Sequence, residues 1–134
     1  MKSKAAVLEE FGKPLVIKHL EIPKLLSKGI LVKMVASGIC GSDLHMIDGK
    51  DPRVPLPIIL GHEGVGEVIE INGEKKDLNG EVINKGDLII WNRGIVCGEC
   101  YFCKVAKTPY LCNNRKIYGI NRSCAEYPYL LGSY

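Results

Sequence analysis

Hydrophobic and polar residues alternate with a period of two along several short stretches, the pattern of strands that turn one face to a core. The clearest is Gly29 to Ile39, where Ile30, Val32, Met34 and Ala36 share one face and Leu31, Lys33, Val35 and Ser37 the other. The first face is wholly apolar and is expected to meet the core. Lys4 to Leu8 and Pro14 to Glu21 read as two strands separated by a turn at Gly12 to Pro14. Gly64 to Ile71 sets Val65, Glu67, Ile69 and Ile71 opposite Gly66, Val68 and Glu70, and its glycines predict close packing. Asp87 to Asn92 reads as a buried strand and Cys124 to Leu131 as the last one.

The segments between differ in kind. Gly41 to Ile47 can form a helical turn, with Ser42 or Asp43 as its N-cap. Asp51 to Pro57 holds three prolines in seven residues, which excludes regular helix and predicts an extended surface loop. Asn72 to Lys85 is polar, with Asn-Gly pairs at 72–73 and 79–80, and predicts a hairpin excursion. Fifteen glycines and seven prolines in 134 residues favour short strands and turns over long helices, so the fold class is mainly β. No repeat or low-complexity segment divides the chain, and a length of 134 residues suits one domain.

Composition narrows the partners. A net charge of +3 is spread along the chain without a basic block, which predicts no nucleic-acid and no membrane partner. The longest apolar runs, such as Leu88 to Trp91, fall far short of the roughly 18 residues of a membrane span. Ala5 to Leu8 is too short for a secretory hydrophobic region, so a cytoplasmic location is expected.

The cysteines change the picture. Cys97, Cys100, Cys103 and Cys112 lie within sixteen residues, with Cys40 and Cys124 apart from them. In a chain expected to stay reduced, such clustering points to a metal rather than to disulfides. A C-x-x-C-x-x-C run can turn its thiolates onto one tetrahedral zinc, and Cys112 is the natural fourth ligand, with Cys124 as its competitor. The zinc lobe then spans about 96–113. Upstream, Gly38-Ile39-Cys40-Gly41-Ser42-Asp43-Leu44-His45 and Gly61-His62-Glu63-Gly64-Val65-Gly66 add Cys40, His62 and Glu63. These supply the mixed sulfur, nitrogen and oxygen donors of a catalytic zinc that keeps a position open for substrate.

With those blocks in this order, and Lys4-Ala5-Ala6-Val7 and Gly86-Asp87 beside them, nearly the whole chain resembles the zinc-dependent medium-chain alcohol dehydrogenase superfamily, specifically its GroES-like catalytic domain. The resemblance implies a partly open β-barrel with short helices, a catalytic zinc and a separate structural zinc in the cysteine lobe. It implies Cys40 and His62 as catalytic zinc ligands, with Glu63 as a ligand or exchangeable neighbour. Ser42 and His45 fall where the family has its proton relay. Asp43 would accept a hydrogen bond from His62, the alternative being a helix N-cap. The implied chemistry is zinc-assisted hydride transfer between a small alcohol or polyol and NAD or NADP.

The sequence departs from that family at several points. No G-x-G-x-x-G occurs, so the Rossmann nucleotide-binding domain is expected to be missing and the chain alone to be inactive. Apolar surface left by that missing neighbour predicts self-association, a homo-oligomer being one form of it. Eight residues separate Cys103 from Cys112, one more than is usual in the family. Gly41 stands where some members carry a basic residue, which leans toward the polyol, threonine or secondary-alcohol branches. The reading from a different class is a non-enzymatic zinc scaffold or interaction module.

Overall fold

Among the described residues, two three-stranded antiparallel sheets and a two-stranded ribbon carry the chain, and the candidate ligands lie between their strands. The structure, a computed structural model, describes residues 2–22, 24–25 and 29–120. Cys124, the strand expected at 124–131 and the Gly132-Ser133-Tyr134 end lie outside the described residues. Strands β1 (Lys2–Leu8), β2 (Val16–Glu21) and β4 (Ile58–Ile59) form one sheet in the order β2-β1-β4. Strands β3 (Ile30–Ser37), β5 (Gly64–Ile71) and β6 (Leu88–Ile90) form the other in the order β3-β5-β6. A two-stranded ribbon of β7 (Gly94–Ile95) and β8 (Lys116–Ile117) brackets the cysteine lobe.

Helix α1 (Gly41–Ile47) follows β3 after Gly38 to Cys40, with the bounds its sequence predicts. Its N-cap is Cys40, two and three residues before the expected Ser42 and Asp43, and the Asp43 carboxylate takes the Cys40 amide instead. The core lies between this helix and the first sheet. Leu8, Met46, Val54, Ile58 and Ile120 bury together, and Ala5, Val7 and Ile59 form a second cluster along β1. Burial of side chains of this size contributes about 1.5–3 kcal/mol each.

The expected patterns hold in part. On β3, Ile30, Val32 and Met34 are half-buried, but Ala36 is exposed, because a register shift between Met34 and Ala36 turns it off that face. On β5 the buried face is Gly66 and Val68. A Cβ on Gly66 would stand 3.0 Å from Cβ of Val32, the close packing its glycines predict. The buried strand expected at 87–92 is corrected: β6 covers three residues, and Leu88 and Ile90 are 67% and 81% exposed. It is an edge strand among the described residues, with one neighbour, so alternation alone could not bury it. The proline-rich loop is not wholly on the surface either, since Val54 reaches the core from it. The excursion at 72–85 is an exposed hairpin with a single bridge, Lys76 to Val82.

Candidate functional site

Cys40 sits at the point where β3 gives way to α1, and its amide donates to Oδ2 of Asp43, three residues on, at 2.8 Å. Here the side chain at the third helical position bonds back to the N-cap amide, half of a capping box, and it fixes where the Cys40 thiol points. His62 and Glu63 lie on the segment between β4 and β5. The Sγ of Cys40 is 3.2 Å from Nε2 of His62, and a Glu63 carboxylate oxygen lies within 4.8 Å of both.

Glycines let that segment lie where it does. Ser37 Oγ and the Gly38 amide both donate to the Glu63 carbonyl, at 2.8 and 3.1 Å, which ties the end of β3 to the ligand pair. A Cβ on Gly38 would overlap a Glu63 carboxylate oxygen. A Cβ on Gly64 would meet the Trp91 ring at 2.9 Å. Ser37 and Trp91 were not legible as site residues, because each acts through a long-range contact that no local spacing encodes.

His62 and Asp43 are 3% and 5% exposed, and Oδ1 of Asp43 faces Nδ1 of His62 at 3.6 Å. That separation is longer than a hydrogen bond, and both atoms are buried without a hydrogen-bond partner. Asp43 is therefore neither the N-cap, which is Cys40, nor within hydrogen-bond distance of His62; it accepts from the Cys40 amide with one oxygen and faces the imidazole with the other. Ser42 and His45 are exposed, one turn apart on α1, and present their side chains to solvent.

The second group is the lobe. Cys97, Cys100, Cys103 and Cys112 bring their sulfurs within 4.8 Å of one another, with Cys100 to Cys103 at 3.5 Å and Cys97 to Cys112 at 3.6 Å. Disulfide sulfurs are about 2.05 Å apart. A tetrahedral zinc with Zn–S near 2.3 Å holds its sulfurs about 3.8 Å apart, which these distances approach. Gly98, at φ +75°, turns the chain so that the Cys100 amide reaches Sγ of Cys97 at 3.4 Å. Cys100 then caps α2 (Tyr101–Lys104), which carries Cys103, and a 3-10 turn at Pro109–Leu111 delivers Cys112.

Charge tests whether these residues fit a cation. The backbone amides of Glu99 and Cys100 lower the Cys97 thiol to about 6. Burial, and then the Cys100 thiol, push Cys103 up to about 12. Four adjacent thiols cannot all ionise against one another, and a divalent cation removes that conflict. At the upstream group the unpartnered Nδ1 of His62 gives the same sign: a cation on Nε2 would leave the proton on Nδ1, facing Asp43. Both donor sets fit zinc in ligand type and number.

Comparison with known proteins places the chain in a family. The sequence model of the alcohol dehydrogenase GroES-like domain matches residues 27–134. An NAD-dependent alcohol dehydrogenase of Sulfurisphaera tokodaii is 35% identical over 96% of this chain and 38% of its own length. An L-threonine 3-dehydrogenase of Thermococcus kodakarensis is 37% identical over 90% of this chain and 32% of its own. The crystal structure of an alcohol dehydrogenase from Thermotoga maritima superposes with a TM-score of 0.92 at 64% identity, covering 98% of this chain and 36% of that one. The chain therefore spans about a third of the length of the relatives it matches.

Proposed function

This chain belongs to the alcohol dehydrogenase GroES-like domain family, and from that premise we propose that it is the catalytic-domain portion of a zinc-dependent, NAD(P)-linked alcohol or polyol dehydrogenase. The observation that carries the proposal is the meeting of Cys40, His62 and Glu63 at one point, backed by Asp43. Zinc bound there would supply Lewis acidity toward an alcohol hydroxyl, and the nicotinamide would accept the hydride.

The chain's own residues do the rest. Cys40 and His62 would hold the metal, and the buried Asp43 carboxylate, facing Nδ1 of His62, would favour coordination through Nε2. Ser42 would receive the hydroxyl proton, and His45, exposed one turn away, would pass it to solvent. The four cysteines of the lobe would hold a structural zinc. One domain over 1–134 and a nucleotide-binding domain outside these residues complete the reading. Its thiols suit a reducing compartment such as the cytoplasm. Exposed Leu88 and Ile90 on β6 favour self-association of the chain, which sedimentation at rising concentration would reveal.

Elemental analysis of the purified chain tests the core of this. Two zincs per chain are expected, falling to one on Cys40→Ser with His62→Ala. A single zinc that survives the double substitution unchanged would remove the catalytic site from the proposal. The 134-residue chain by itself is expected to show no NAD(P)-linked turnover.

A further inference from the structure

Immediately after β8 the chain turns at Gly119, which has φ +66°. A Cβ there would stand 2.6 Å from both the amide nitrogen and the carbonyl oxygen of Gly61, and 3.0 Å from the carbonyl carbon of Leu60. These are backbone atoms of the residues that lead directly into His62, so they cannot swing aside as a side chain can. Gly61 itself has φ +110°, a backbone conformation that residues with a side chain rarely adopt.

The segment carrying Gly119 is itself firmly held. The Arg115 amide donates to the Cys112 carbonyl at 3.1 Å, and β8 pairs with β7 through Gly94 to Ile117 and Ile95 to Lys116. The Tyr118 amide donates to the Arg93 carbonyl at 3.0 Å, and that of Ile120 to Ile117 at 3.2 Å. Ile120 then buries beside Met46 of α1, the helix that begins at Cys40. On the far side of the ligand pair, the ring of Trp91 backs Gly64 just before the chain enters β7. Both peptides that flank His62 and Glu63 therefore rest on the chain entering or leaving the cysteine lobe.

We propose that Gly119 positions His62: lacking a side chain, it lets the strand leaving the cysteine lobe lie on the backbone of Gly61, coupling order in the lobe to the affinity of the Cys40–His62–Glu63 centre for metal. The inference rests on the reading of that centre as a metal site. Among the described residues the coupling runs through the backbone contact of Gly119 with Gly61 and through Ile120, buried beside Met46.

Cobalt(II) titration of the 134-residue chain against a competing chelator tests it, since thiolate-to-cobalt absorption separates a four-cysteine site from a one-cysteine site. Gly119→Ala is expected to weaken the one-cysteine site about tenfold or more, the range that loss of supporting contacts around a metal produces. It is also expected to shift the ligand-field band of that site, while the lobe keeps its affinity. Gly73→Ala is the control, because Gly73 has φ +88° and nothing within 4 Å of its Cβ position. It should leave both sites unchanged. A one-cysteine site unaltered by Gly119→Ala overturns the inference, as does an equal loss at both sites or the same loss in Gly73→Ala. Should Gly119→Ala fail to fold, Cys103→Ser decides: weakening of the distant one-cysteine site supports the coupling, and no change overturns it. Uptake of a single cobalt by the unmodified chain removes the metal reading itself, and this inference with it.

Discussion

Oδ1 of Asp43 faces Nδ1 of His62 across 3.6 Å, in a place where neither atom has a hydrogen-bond partner. The same carboxylate holds the Cys40 amide through its other oxygen, so one side chain orients two candidate ligands that stand 22 positions apart in sequence. Replacing it should separate two effects. Asp43→Asn keeps an acceptor for the Cys40 amide but withdraws the charge facing His62. Zinc affinity at the Cys40 centre should fall about 10–100-fold with little loss of stability. Asp43→Ala should add about 1 kcal/mol of destabilisation from the lost cap. Chelator competition and urea denaturation read the two quantities separately.

Met46 and Leu44 lie two positions apart on α1 and should respond oppositely. Met46 is 1% exposed among Leu8, Val54, Ile58 and Ile120, so Met46→Ala should cost about 2–5 kcal/mol in chemical denaturation. Leu44 is 57% exposed, and Leu44→Ala should stay within about 0.5 kcal/mol. Equal costs would mean that α1 packs by a different face from the one seen.

How much of this was readable in the chain depends on how local the cause is. The bounds of helix α1 were legible because they are set within a few residues of Cys40, but its N-cap was not, since Cys40 takes that position in place of Ser42 or Asp43. The meeting of Cys40, His62 and Glu63 was legible through donor chemistry, not through any spacing, since it depends on the long-range pairing of the end of β3 with the start of β5. The exposure of Leu88 and Ile90 was not, because burial on a strand depends on what lies beyond its edge. Ala36 leaves its expected face through a register shift that alternation cannot announce. Ser37 read as one more polar position on β3, yet its hydroxyl holds the Glu63 carbonyl.

The pairing of Gly38 with Glu63 makes a test by non-additivity. A Cβ at position 38 displaces the Glu63 carboxylate, so Gly38→Ala and Glu63→Gln should each weaken zinc at the Cys40 centre. Because they remove the same donor, the double variant should be little worse than either single one. Additive losses in chelator competition would show that Gly38 acts by some route other than Glu63.

The lobe carries a pH dependence whose sign follows from its two shifted thiols. In the metal-free chain Cys97 lies near 6, against 9.0 for an ordinary thiol. A depressed thiol stabilises the fold fully above 9.0, and that stabilisation fades as pH falls toward 6. Cys103 is raised to about 12, so its ionisation opposes folding from 9.0 upward. Stability of the metal-free lobe should therefore rise between pH 6 and 9 and decline above it. Iodoacetamide labelling read by mass spectrometry should modify Cys97 first, with a midpoint near pH 6, and Cys103 last. Zinc loading should abolish both trends, since a coordinated thiolate holds no proton to lose and is shielded from the reagent. Labelling of all four cysteines at one common midpoint in the metal-free chain would show that the backbone amides of Glu99 and Cys100 do not single out Cys97.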